Sequence, residues 1–216
     1  MSEIALHSYW RSSAAYRVRI ALALKGLNWR TAGVHLVRDG GEQHAAAYRR
    51  LNPQGLVPTL ETNQHVLTQS LAIIEYLDEC HPEPPLLPRG AAERARVRAL
   101  AQIVACDIHP LNNLRVLKWL KEHLGADEGQ RNQWYRHWIA EGFAALEALL
   151  GDNPAAGRYC HGDSPTLADL CLVPQVYNAI RYECDLEPYP AIRRINAACM
   201  ELEAFRGAAP EAQPDA

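Results

Sequence analysis

Residues 8–26, SYWRSSAAYRVRIALALKG, bring Ser12, Ser13 and three arginines to one strand-to-helix junction. Ser12 and Ser13 stand just ahead of the helical apolar spacing, where serine most often caps free backbone N–H groups. A hydroxyl beside a helix N-terminus also favours an anion. One serine side chain can cap while the other faces a ligand. Arg11 lies in the turn itself, and its planar fork suits a carboxylate. Arg17 and Arg19 fall on the helix and read as structural groups in buried or interdomain ion pairs. No cysteine occupies the turn, because Ala14 and Ala15 follow the serines.

The elements that must hold this junction are legible in the first eighty residues. EIALHSYW has strand alternation, Val18, Ala21, Leu22 and Leu24 follow helical spacing to a stop at Gly26, and NWRTAGVHL reads as a second strand. Strand, helix, strand is a βαβ unit with a parallel pair. DGGEQHAAAYRRL reads as a turn and short helix. VPTLE and HVLTQ read as a hairpin around Thr62-Asn63, with Pro58 at a strand start or on a cis bond. Ile73, Ile74 and Leu77 predict an amphipathic helix from near Ser70. The order βαβ then αββα is a thioredoxin-like arrangement, placed at residues 1–83.

HPEPPLLPRG, with four prolines, reads as an extended linker. Beyond it every periodic segment is helical, so residues 90–216 are expected to form a second, all-α domain. AAERARVRALAQIVACDIHPLNNLRVLKWLKEHLG is taken as helical throughout, which puts His109 and Asn113 at i and i+4 on one face. In SPTLADL, Thr166 and Asp169 have capping-box spacing, with the threonine hydroxyl expected to accept from the Asp169 amide. Cys171 reads as core filling.

Composition narrows the class of protein. The 216-residue chain is 48% hydrophobic with a net charge of −3, which gives no global field for nucleic acid or an anionic membrane. No apolar run nears the roughly 20 residues of a membrane span, and Met1-Ser2-Glu3-Ile4 lacks a secretory layout. A cytoplasmic protein with reduced thiols is expected. The six cysteines include no C-x-x-C, so neither a dithiol redox motif nor a zinc knuckle is indicated. Cys106, Asp107 and His109 lie close in sequence, but such spacing alone makes no metal site, and no metal is expected.

A thioredoxin-like half, a proline-rich linker and a helical half with a threonine/aspartate cap resemble a soluble glutathione S-transferase. SSAAYRVRIALALKG is similar to the S-S-C-x-x-R-V-R-I-A-L signature of the zeta class, whose characterised members are maleylacetoacetate isomerases. LNPQGLVPTLE, QSLAIIEYL, TLADLCLVPQVYNA and DLEPYP also resemble that class, so the likeness spans nearly the whole chain. Ala14 replaces the signature cysteine. The related bacterial maleylpyruvate isomerases likewise lack that cysteine, and CDIHPLNN also looks more like those proteins.

The resemblance implies a role for each candidate residue. Ser12 becomes the donor to the thiolate of bound glutathione, with Ser13 in support. Val57 offers main-chain groups to the cysteinyl unit, while Gln69 and Ser70 receive the γ-glutamyl carboxylate. Gln43 serves the glycyl end or is merely a solvated residue. Arg11 and Arg181 grip a dicarboxylate keto-acid substrate, Arg181 closing from the helical domain. His109 and Asn113 face the cleft, His109 otherwise being a hydrogen-bonded structural residue. The implied activity is glutathione-dependent cis–trans isomerisation of maleylacetoacetate or maleylpyruvate, with transfer to small α-halo acids as a further possibility. A non-catalytic binding module is disfavoured because Ser12, Arg11 and Arg181 are all present; a glutaredoxin-like enzyme lacks its cysteine. A homodimer is implied by the resemblance alone.

Overall fold

The computed structural model describes residues 4–216. Its contacts divide the chain into two units, one built from residues up to Leu86 together with Met200–Ala216, the other from Leu87–Cys199.

In the first unit, β1 (Ala5–Ser8), α1 (Ser13–Leu24) and β2 (Arg30–Gly33) form the expected βαβ, and the strands pair in parallel with Ala5 opposite Arg30. A short helix α2 (Ala46–Leu51) leads to β3 (Thr59–Glu61), β4 (Val66–Thr68) and α3 (Ser70–Cys80). The sheet order is β2-β1-β3-β4, with β3 antiparallel to both neighbours. Leu6 and Leu60 sit opposite each other at the centre of the sheet, both fully buried, and α1 packs on α3 through a shared core that includes Val18, Ile73 and Leu77. The Val57–Pro58 bond is cis and precedes β3, so Pro58 removes no ladder donor.

Helix α1 is buried from Ser13 to Leu22 rather than along one stripe. Its second face is covered by the C-terminal segment, including α9 (Glu203–Arg206). Tyr16 donates to the Phe205 carbonyl at 2.9 Å. Arg19, completely buried, donates to the Ala208 carbonyl (2.9 Å), the Ser8 hydroxyl (3.1 Å) and the Trp10 carbonyl (3.0 Å). Burial lowers its pKa to about 10, with Tyr16 and Asp215 opposing, so it remains a cation at neutral pH. The Trp10 amide donates to Asp215 at 2.9 Å. These bonds correct two expectations. Arg19 is held by carbonyls and a hydroxyl rather than an ion pair, and residues 200–216 join the first unit instead of extending the helical domain.

The proline-rich stretch is tied down by charge. Lys25 donates to Asp78 and to the Pro84 carbonyl, both at 2.6 Å, and the Leu86 amide donates to the same Asp78 oxygen at 2.8 Å.

The second unit is helical: α4 (Ala91–Gln102), α5 (Leu114–Leu124), α6 (Glu128–Leu150), α7 (Leu167–Arg181) and α8 (Pro190–Met200). Helix α7 is buried along nearly its whole length and packs against α4. The single helix expected across residues 91–125 is broken. Past Gln102 the backbone widens into a π-helical turn, Ile103–Ile108, and Pro110 cannot supply the amide that continuation requires. The chain restarts at Asn113, whose side-chain oxygen accepts from the Arg115 amide at 3.1 Å and caps α5. Asn113→Ala is expected to lower stability by about 1 kcal/mol in a urea titration.

The Thr166/Asp169 cap forms as expected and carries one further bond. Both halves of the expected capping box are present, and in addition the threonine hydroxyl donates to the Asp169 carboxylate (2.9 Å) while the Asp169 amide bonds the Thr166 carbonyl. The Thr166 amide (2.8 Å) and the Cys160 amide (2.8 Å) complete the carboxylate's set, with the Cys199 thiol at 3.9 Å. Asp169 is fully buried, and burial raises its pKa while these donors act in the opposite direction. The thiols of Cys160 and Cys199 are raised as well, mainly by burial, and stay protonated.

Candidate active site

The first cluster is built where β1 ends. The chain turns at Tyr9, whose carbonyl accepts from the Ser12 amide at 2.9 Å, and α1 begins with Ser12 as N-cap. The Ser12 hydroxyl accepts from the Ala15 amide at 3.2 Å. That bond uses one lone pair of the oxygen and leaves the hydroxyl proton uncommitted, so capping by Ser12 is compatible with donation by the same hydroxyl. Ser13 is itself buried. Arg11 is exposed beside it, with its guanidinium 4.9 Å from the Trp10 ring centroid and 3.4 Å from the Tyr9 hydroxyl. Tyr9 in turn meets the His35 ring edge-on at 5.0 Å.

The second cluster surrounds the N-terminus of α3. Gln69 holds φ 70°, ψ 113°, an uncommon conformation for a side chain-bearing residue, and its amide nitrogen donates to Gln54 at 2.7 Å. Ser70 opens the helix, buried, with its hydroxyl accepting from Arg17 at 3.2 Å. Val57 is set by partners that sequence reasoning missed. Tyr48 and Asn52 both donate to the neighbouring Leu56 carbonyl at 2.7 Å, and Tyr48 is within 3.0 Å of the Thr59 hydroxyl. Only the tertiary fold reveals that role; in the sequence both residues look like ordinary polar positions.

Gln43 lies in a short 3₁₀ turn, Glu42–His44, and is buried rather than solvated. Its nitrogen bonds the Leu36 carbonyl (3.4 Å) and His44 (3.1 Å), while its buried side-chain oxygen has no partner among the described residues. Gly41, at φ 114°, presses against this side chain, and a Cβ there would collide with it.

In the helical unit, Arg181 is the last residue of α7 and is exposed. Its guanidinium lies 4.7 Å from the Tyr182 ring centroid, and Tyr182 stacks on buried Tyr135 at 3.6 Å with only 9° between planes. Arg136 fixes the Tyr182 carbonyl at 2.6 Å. An otherwise floppy arginine thus rests on a rigid aromatic platform. His109 and Asn113 do not share a helical face, because one lies between α4 and α5 and the other caps α5. No group of three or more His, Cys, Asp or Glu among the described residues is arranged to hold a metal. A groove of about 830 Å³ between α6 and α8 contains none of the candidates, and the Glu147 carboxylate in its wall already caps the amides of Ala191 and Ile192.

A thioredoxin-like unit with a capped, hydroxyl-bearing α1 N-terminus, together with an all-helical unit, defines the transferase architecture. Residues 11–80 match the family model for the glutathione S-transferase N-terminal domain, and 128–198 match that for the C-terminal domain. A probable maleylacetoacetate isomerase of Vibrio cholerae is 54% identical across all of both chains. A maleylpyruvate isomerase solved in its holo form, a bacterial zeta-class transferase, is 55% identical over 98% of this chain and 99% of its own, with a TM-score of 0.95. The maleylacetoacetate isomerase of Methylobacterium extorquens, solved with bound malonate and glutathione, is 40% identical over 98% and 99% of the two chains, with a TM-score of 0.94. The chain belongs to the zeta-class glutathione S-transferases, the maleylacetoacetate isomerase family.

Proposed function

We propose that this protein is a glutathione-dependent cis–trans isomerase of maleyl-substituted keto acids, with maleylacetoacetate as substrate. The observation that carries this reading is the Ser12 hydroxyl, which accepts from the Ala15 amide and keeps its proton uncommitted at the head of α1. The residues fit glutathione: the buried Gln43 oxygen lacks a partner, and Ser70 opens α3 with a buried hydroxyl. Bound glutathione supplies a sulfur nucleophile that adds to the conjugated double bond and leaves after rotation about it. Ser12 donates to that sulfur and, with the positive end of α1, favours its ionised form. Arg11 and Arg181 bind the substrate's two carboxylates and stabilise the negative charge that builds on its keto oxygens. Val57, Gln69, Ser70 and Gln43 position the tripeptide, with His109 as a further contact. Asn113 acts through the start of α5, because its side-chain oxygen is committed to the Arg115 amide.

A second substrate, maleylpyruvate, is favoured by Ala14 in place of the signature cysteine and by the similar identity to the two kinds of isomerase, 54% and 55%. Following the enol absorbance of each substrate with and without glutathione separates the two. Unchanged absorbance on both sinks the reading, and net consumption of glutathione identifies a transferase instead. Arg181→Ala should raise KM or lower kcat while glutathione still binds, a loss of about 1.5–3 kcal/mol for one charge-assisted contact. Loss of glutathione binding in that variant would remove Arg181 from the substrate side. We also place the enzyme in the cytoplasm as a homodimer, on the family resemblance alone.

A further inference from the structure

Arg17 is a long cationic side chain on α1 that is only 2% exposed, and the mechanism above does not use it. Its Nη1 lies 3.2 Å from the Ser70 hydroxyl, the first residue of α3. A guanidinium can only donate, so it fixes the direction of that bond: Ser70 Oγ accepts, and the serine proton must point away from Arg17. A free serine hydroxyl turns either way and serves an anion or an ammonium equally. A serine backed by a buried guanidinium has one lone pair taken and its proton turned outward, which favours an acceptor in front of it. It stands at the N-terminus of an eleven-residue helix, where the backbone amides also face outward.

We infer that Arg17 is a positioning residue that locks Ser70 as a donor and so makes this end of the site select a carboxylate. The inference rests on Ser70 receiving the γ-glutamyl end of glutathione and adds what discriminates there. Arg17 touches no ligand itself. Its effect reaches the ligand through the Ser70 hydroxyl.

The test is equilibrium calorimetry with two ligands: glutathione, and γ-aminobutyryl-cysteinyl-glycine, which lacks only the α-carboxylate. Arg17→Met should weaken glutathione about 10- to 100-fold while the decarboxylated analogue changes less than about twofold. Arg17→Lys, which keeps a charged donor, should recover part of the loss. Ser70→Ala should reproduce the selective loss, and combining it with Arg17→Met should add little, because the two share one path. Equal weakening of both ligands by Arg17→Met would show a merely structural role, and unchanged binding of both would show none; either overturns the inference. Should Arg17→Met fail to fold, Arg17→Lys and Ser70→Ala carry the same comparison. Failure of the functional reading looks different: wild-type protein itself would then fail to bind glutathione.

Discussion

Ser12→Ala is expected to lower kcat/KM for isomerisation about 10²- to 10³-fold, the usual cost of removing one preorganised donor from a developing or resident negative charge. The structure gives the residue two duties, and the substitution removes both. Loss of the acceptor for the Ala15 amide should cost about 1 kcal/mol of stability, visible as a small shift in the urea midpoint. Loss of the donor should leave the bound sulfur less acidic, so the thiolate absorbance of the complex should titrate closer to the pKa of about 8.5 of a free thiol. Activity should recover in part as pH rises, because alkali supplies the ionisation that the hydroxyl no longer favours. Ser13→Ala should lose far less. A Ser12 variant with unchanged rate and thiol titration would refute the assignment.

The second large effect is on stability. Asp169→Ala should destabilise the protein by about 3–5 kcal/mol in chemical denaturation, since it strands two buried amides, Thr166 and Cys160, at about 1–3 kcal/mol each and removes the cap of α7. Against a total stability of about 5–15 kcal/mol, that endangers folding at growth temperature. Asp169→Asn gives the sign of the charge contribution. Burial raises the folded pKa of Asp169, so the folded state binds more protons than the unfolded between the two values. Stability therefore falls as pH rises through that window. The advantage of wild type over Asp169→Asn should be greatest below about pH 4 and shrink as pH rises. A widening gap with rising pH would mean that the donors outweigh desolvation.

The sequence exposes what is local and periodic. The βαβ unit, the hairpin and α3 were readable because each announces itself through alternation, helical spacing or a cap within a few residues. The helix-end positions of Ser12, Ser70 and Arg181 were readable from local spacing. What escaped depends on distant partners. Nothing near Arg19 signals that three acceptors, one of them Ala208, await its guanidinium. Tyr182 and Tyr135 are 47 positions apart yet form one stack beneath Arg181. The helix expected through His109 is interrupted by a local signal, Pro110, which the apolar periodicity on either side of it masks.

The return of residues 200–216 to the first unit bears on how the protein is made. A chain leaves the ribosome from its N-terminus, and domains ordinarily fold in that order as they emerge. Here α1 precedes the helical unit in the chain, but the Phe205 and Ala208 carbonyls and the Asp215 carboxylate that complete its surroundings follow that unit. The first unit must wait, with the buried side of α1 exposed, while the whole helical unit is translated. The helix that carries Ser12 therefore gains its full set of partners only after the helical unit has been translated.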